Sequence, residues 1–203
     1  MMQPYTEDEV RRILAAVAKM NAYDRRHDRH VTGRRPTAAR DIAIILILLD
    51  AGLRVSELCD LRLRHYDRKN RAPAHRARQG DKQRVVYIGM AARRALWKYL
   101  ASRGDLPAAA PLIAHADGSA TNRDAVRKLI QRAGARAGVN GATPHRFRHT
   151  FAINFLRNGG NMAALQDMLG HATLEMVRRY ARLAEVDLAE AQRIASPADK
   201  WGL

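Results

Sequence analysis

Apolar residues recur at helical spacing near the start of the chain, with Val10, Ile13, Leu14 and Val17 on one face. Thr6, followed by Glu7, Asp8 and Glu9, supplies a helix start with acids in the first turn, where they favour the helix dipole. The spacing predicts a helix running to about Met20. Residues 25 to 40 then carry six arginines, among them Arg34 and Arg35, with Gly33 and Pro36 interrupting regular structure. This stretch is expected to be a basic loop, either contacting phosphate or forming a solvated linker.

A second helix, near Thr37 to Ala51, holds the longest apolar run, Ile42 to Leu49. That run is far shorter than the roughly 20 residues needed to span a bilayer, so it reads as a buried helix and no membrane partner is expected. The helix should stop at Gly52, and a short one through Val55 to Leu61 should follow. Between Leu63 and Ile88, turn residues at Lys69-Asn70, Pro73 and Gly80-Asp81 separate short segments, predicting a small three-stranded antiparallel sheet. Further helices are expected at 90 to 102, 121 to 138, 145 to 158, 161 to 170 and 173 to 183, with a short terminal one near 185 to 195. The fold class is therefore mainly α with a small antiparallel sheet, in one domain spanning 1–203. Its core would cover about 3–183, leaving a tail at about 184–203.

Charge changes this picture. Lys and Arg total 36 against 20 Asp and Glu, a net charge of +16 over 203 residues, which suits a polyanionic partner such as nucleic acid. An arginine-rich composition without such a partner is the alternative. Cys59 is the single cysteine, which excludes an intrachain disulfide or a cysteine-based zinc site and fits a reducing compartment. The N-terminal residues show no secretory pattern, so a cytoplasmic, nucleoid-associated location is expected.

Three segments carry chemistry. In HRFRH, His145, Arg148 and His149 fall at i, i+3 and i+4 of a helix that starts after Thr143-Pro144, so they share a face. Phosphate is a fitting partner for a planar guanidinium fork, and a solvated basic face is the alternative. In GLRVSEL, Arg54 opens a helix with Glu57 three residues on, able to fix its guanidinium; a helix junction with a surface Arg is the other possibility. Tyr180 lies nine residues after His171, on a helix whose Thr173, Met176, Val177 and Leu183 can face the core. A tyrosine there is ordinarily a packing residue with a satisfied hydroxyl.

With GLRVSEL, HRFRH and LGHATLEMVRRY in this order, the chain resembles the catalytic domain of the tyrosine recombinases, or phage-type integrases, over roughly residues 3 to 195. The resemblance implies Arg54 and Arg148 as the catalytic arginines, His145 and His171 as the histidines, Tyr180 as nucleophile and His149 as a supporting residue. The family's catalytic lysine normally occupies the first lysine of a GKGNK-like turn. Here RQGDKQRVV puts Gln79 at that position and Lys82 at the second lysine. Lys82 is the expected replacement, because short hairpins slip in register and length. Arg78 in that role, or reduced activity, are the alternatives.

The resemblance further implies site-specific DNA recombination through a 3′-phosphotyrosyl intermediate, without metal, ATP or other cofactor. Arg34, Arg35, Arg78, Arg84 and Arg146 would contact double-stranded DNA, and the protein would assemble as a homo-tetramer on DNA from monomers in solution. The stripe Leu183, Val186, Ala189, Ala191 and Ile194 would dock on a neighbouring protomer, exchanging the tail, or cap its own domain. A separate N-terminal core-binding domain, common in the family, is expected to be absent. Three rivals remain open: a cleavage-impaired DNA-binding protein of the same fold, a relaxing enzyme of the type IB topoisomerase kind, and a helix-turn-helix transcription factor built on residues 161 to 180.

Overall fold

The computed structural model describes residues 2–24, 29–66, 75–79, 82–170, 174–184, 192 and 196–201. The chain divides into two units, Met1–Phe151 and Ala152–Leu203. In the first, α1 (Glu7–Ala18) begins with a capping box. The Glu9 N–H donates to Thr6 Oγ1 at 3.1 Å, and the Thr6 N–H donates to Glu9 Oε2 at 2.9 Å. Val10, Ile13 and Val17 are its buried face, as the spacing predicts.

The helix ends at Ala18, short of Met20, and residues 29–34 of the expected basic loop form the second strand of a hairpin. Strands β1 (Lys19–Asp24) and β2 (Arg29–Arg34) pair antiparallel, with Met20 opposite Gly33 and Ala22 opposite Val31. The Arg35 N–H donates to the Ala18 carbonyl at 3.1 Å and closes the base of the hairpin. Tyr23, Val31 and Thr32 favour extended backbone, and the helical repeat of apolar positions stops at Val17, so pairing prevails over the reading by charge. Residues 25–28 lie outside the described set.

Helix α2 (Ala38–Ala51) is apolar nearly all round and is correspondingly central. Ile44, Ile45, Ile47 and Leu48 are each at most 1% exposed, and α1, α4 (Met90–Ala101) and α5 (Arg123–Ala137) pack against this helix. Helix α3 (Val55–Asp60) follows the Gly52 stop, then a single 3₁₀ turn at Leu63–His65. Between Leu63 and Ile88 the described residues supply two strands, β3 (His75–Gln79) and β4 (Lys82–Val86), paired antiparallel and packed beside α3. The turn at Gly80-Asp81 and the segment 67–74 fall outside the described residues. Helix α5 starts with Asn122 Oδ1 accepting from the Ala125 N–H, and α6 (Pro144–Arg157) with Thr143 Oγ1 accepting from the Arg146 N–H.

The second unit contains the end of α6, α7 (Met162–Leu169), α8 (Leu174–Ala184) and α9 (Pro197–Trp201). Helices α7 and α8 pack together over Leu165, Leu169 and Val177, all fully buried. Most of the terminal helix expected at 185 to 195, with its stripe beyond Leu183, lies outside the described residues. Among the described residues, no helix is long and apolar enough to cross a membrane.

Candidate active site

Gly52 is the point from which the site is built. It ends α2 in the left-handed region, φ 59°, and a Cβ there would run into the ring of Phe151. Glycine is thus required twice at one position, for backbone conformation and for the close approach of an aromatic ring. Its carbonyl accepts a 2.5 Å hydrogen bond from Arg148 Nη1, which ties α6 to the loop two residues before Arg54.

Arg54 enters α3 with its backbone N–H donating to Glu57 Oε2 at 2.7 Å, while its Nη1 lies 3.4 Å from Glu57 Oε1. Glu57 is 3% exposed, whereas the Arg54 side chain is 37% exposed. A buried carboxylate therefore anchors one edge of a partly exposed guanidinium. Arg148 is 6% exposed and His149 9%, while His145, in the first turn of α6, is exposed. The i, i+3, i+4 spacing predicted from HRFRH holds, with burial deepening along the helix from the exposed histidine to the arginine.

The β3–β4 register sets Gln79 directly opposite Lys82, at the last rung of the hairpin. Opposed positions of an antiparallel pair are close neighbours, so the position taken by glutamine and the nearest lysine share one rung. Arg78 pairs with Gln83 and Arg84 with Ala77. Tyr180 belongs to the second unit, where it is 5% exposed on α8 in a buried stripe with Val177 and Ala184. His171 lies outside the described residues. Arg34 is the last residue of β2, and Arg35 follows it directly.

One expected DNA contact is corrected. Arg146 is 9% exposed and uses its guanidinium inside the protein. Nε donates to the Gln3 carbonyl at 2.9 Å, Nη1 to the Asn140 carbonyl at 2.9 Å, and Nη2 to both Glu9 oxygens at 3.0 and 2.8 Å. The same group sits 4.0 Å from the Tyr5 ring centroid, a cation–π contact. Tyr5 is pinned further: its N–H donates to Thr150 Oγ1 at 2.8 Å, and its hydroxyl accepts from the Thr143 N–H at 3.0 Å. Burial pushes the Tyr5 phenol up to about 12. This latch holds the first turns of α6, and hence the segment carrying His145 and Arg148. Sequence spacing puts Arg146 off the His145–Arg148 face, which is the one signal that could have separated it from Arg148.

The latch has a measurable cost of removal. Burial opposes the Glu9 charge, but hydrogen bonding from the Thr6 and Arg146 donors outweighs it and holds the carboxyl below its ordinary value. A depressed folded-state pKa stabilises the protein above the unfolded value of about 4.3 and loses that contribution as pH falls through the folded value. Arg146→Ala should therefore lower unfolding free energy at pH 7 by about 2 to 4 kcal/mol, since it leaves a partly buried carboxylate without its cation. Urea denaturation at pH 7 and pH 3 checks this, with the difference from the parent shrinking at the lower pH.

Against known proteins, the family model described as Phage integrase family matches residues 4–186. The Tyrosine recombinase XerC of Pelobacter propionicus is 36% identical over 159 residues, covering 78% of this chain and 52% of that protein. The Tyrosine recombinase XerA of Thermococcus kodakarensis is 32% identical over 198 residues, covering 96% and 63%. The chain thus spans between half and two thirds of the length of these relatives. Among solved structures, a XerA recombinase crystal structure superposes with TM-score 0.72 at 28% identity, covering 97% of this chain and 64% of that one. The catalytic domain of bacteriophage HP1 integrase, at TM-score 0.62 and 24% identity, is covered over 98% of both chains and supports the same mainly helical fold.

Proposed function

Because the chain belongs to the phage integrase family, we propose that it is the catalytic domain of a site-specific DNA recombinase, which cleaves and rejoins strands through Tyr180. The observation that carries this is the joining of Arg148 to the Gly52 carbonyl, two residues from an Arg54 that a buried Glu57 orients. Two guanidiniums fixed from different helices match a phosphate whose non-bridging oxygens gain charge in the transition state.

In the proposed step the Tyr180 phenol oxygen attacks phosphorus in line, and the bond from phosphorus to the 5′ oxygen breaks. His145 takes the phenolic proton, because a free phenol ionises near pH 10 and needs a base at neutral pH. Lys82 gives a proton to the departing 5′ oxygen, and His171 donates to a phosphate oxygen. The products are a 3′-phosphotyrosyl ester and a 5′-hydroxyl, and a new 5′-hydroxyl attacking the ester reverses the step, so no ATP is required. Glu57 and His149 support the arginines and the helix. Residues 1–203 act as one domain in this proposal, with a three-stranded sheet between Leu63 and Ile88. The active form is a tetramer on double-stranded DNA in the cytoplasm, with Arg34, Arg35, Arg78 and Arg84 as further DNA contacts.

A nicked suicide duplex tests the proposal. The parent should form a covalent adduct on a denaturing gel, and Tyr180→Phe should form none. Lys82→Ala should slow adduct formation at least tenfold with DNA affinity held within about threefold, consistent with loss of a general acid. Gln79 at the family's lysine position favours a second reading, a DNA-binding protein impaired in cleavage. No adduct from the parent, together with an adduct from Gln79→Lys, would establish that second reading.

A further inference from the structure

Asn140 and Gly141 form an exposed turn between the end of α5 and the Thr143-Pro144 start of α6. An Asn-Gly pair favours such a turn, because glycine readily takes the left-handed backbone that Gly141 shows, φ 66°. Among the described residues, no hydrogen bond engages the Asn140 carboxamide or the Gly141 N–H, and a Cβ on Gly141 would meet nothing within 4 Å. The turn is nevertheless held at both ends. Val139 and Ala142 are buried, the Val139 N–H donates to the Gly134 carbonyl at 2.8 Å, and a Cβ on Gly134 would run into the Ala142 methyl. The Asn140 main-chain carbonyl accepts from Arg146 Nη1 at 2.9 Å, and the Thr143 N–H donates to the Tyr5 hydroxyl at 3.0 Å.

We propose that Asn140 is a self-modification site, whose deamidation lengthens the backbone leading into α6 and loosens the segment that carries His145. The Gly141 backbone nitrogen, giving its proton to water, bonds to Asn140 Cγ; the Cγ–Nδ2 bond breaks and ammonia leaves, closing a succinimide ring. Glycine has no side chain to block that approach, and its backbone freedom lets the turn reach the ring-closing geometry. Water then opens the ring at either carbonyl. Addition at Cγ yields aspartate with the chain path unaltered, whereas addition at the main-chain carbonyl yields isoaspartate, in which the chain runs through Cβ and Cγ. Both products gain a negative charge. Isoaspartate also inserts one backbone atom between the buried Val139 and Ala142, and it turns the carbonyl that receives Arg146 into a carboxylate beside the chain path. Close-packed neighbours leave no room for that atom, so Ala142 or Thr143 must move. Thr143 caps α6 two residues before His145, and its displacement reaches the first turn of that helix.

The modification stands apart from the proposed function, and only its effect on cleavage rests on that reading. Parent protein and Asn140→Gln, which keeps the main-chain carbonyl but cyclises far more slowly, are aged together in mildly alkaline buffer. Trypsin releases residues 137–146, cutting after Arg136 and Arg146, and mass spectrometry with an isoaspartate-specific methyltransferase quantifies the product at Asn140. The parent should accumulate isoaspartate there, and Asn140→Gln should not. The aged parent should unfold at a lower denaturant midpoint than aged Asn140→Gln. Its isoaspartyl fraction should form the Tyr180 adduct roughly 10- to 100-fold more slowly, the scale expected when a catalytic group is misplaced. Fresh Asn140→Asp, which gains the charge without the extra backbone atom, should match the fresh parent in both measurements. An unmodified Asn140 after ageing, or an isoaspartyl protein with the parental midpoint and rate, would overturn the proposal. Equal impairment of fresh Asn140→Asp would assign the effect to charge and overturn it as well. A fresh parent that forms no adduct removes the recombinase reading alone, since the midpoint still reports whether the start of α6 is loosened.

Discussion

Replacing Arg148 by alanine or by lysine should lower the single-turnover rate of adduct formation by about 100- to 1,000-fold, the loss expected for one preorganised donor to a developing oxyanion. DNA affinity should change by only a few-fold, because one phosphate contact among many is removed. Lysine keeps the charge but not the planar fork. It cannot donate to the Gly52 carbonyl and to a phosphate oxygen with the geometry that the guanidinium has. Stopped or quenched time courses on a suicide duplex, with affinity measured on the same substrate, separate the two effects. A lysine variant that cleaves at the parental rate would mean that Arg148 is there to hold the α2–α3 loop and not the phosphate.

The second large effect is expected from Gly52→Ala. The added methyl would collide with the buried Phe151 ring, in a backbone conformation that L side chains rarely adopt. Left-handed strain costs about 1 to 3 kcal/mol and overpacking typically about 1 to 3 more, so the variant should lose roughly 2 to 6 kcal/mol of stability. Because the Gly52 carbonyl also receives Arg148, cleavage should fall more steeply than folded fraction. The double variant Gly52→Ala/Phe151→Ala relieves the clash but not the dihedral strain. It should regain the larger share of the cleavage lost, relative to its own folded fraction. Chemical denaturation and adduct yield measured on the same preparations check both statements, and an unshifted denaturation midpoint for Gly52→Ala would contradict the packing explanation.

These two positions also show how far the sequence could be read. The glycine stop after an apolar helix, the Thr6 cap and the spacing of HRFRH are local signals, and local signals carry through to α1, α2 and α6 as expected. The carbonyl that receives Arg148 lies 96 residues away from it, and the carboxylate that receives Arg146 lies 137 residues away. Spacing within one helix says which face an arginine occupies but not what stands opposite, so Arg146 reads as a DNA contact when it is an internal clamp. The β1–β2 hairpin is hidden for a different reason. Its arginines suggest a loop by charge, while backbone pairing depends on Tyr23, Val31 and Thr32, a weaker and more context-dependent preference. The opposed rung of Gln79 and Lys82 gives the sequence-level choice between them a physical form, since the two positions are neighbours across the hairpin.

Attack by Tyr180 is best decided by identifying the atom that carries the DNA. The covalent product of the parent protein with a suicide duplex is digested with trypsin and nuclease, and the nucleotide-bearing peptide is sequenced by mass spectrometry. A nucleotide is expected on the tyrosine of the peptide containing Tyr180, with no modified peptide from Arg54→Ala or Arg148→Ala protein under the same single-turnover conditions. A nucleotide on any other residue, or an adduct that persists in Tyr180→Phe, would refute the assignment.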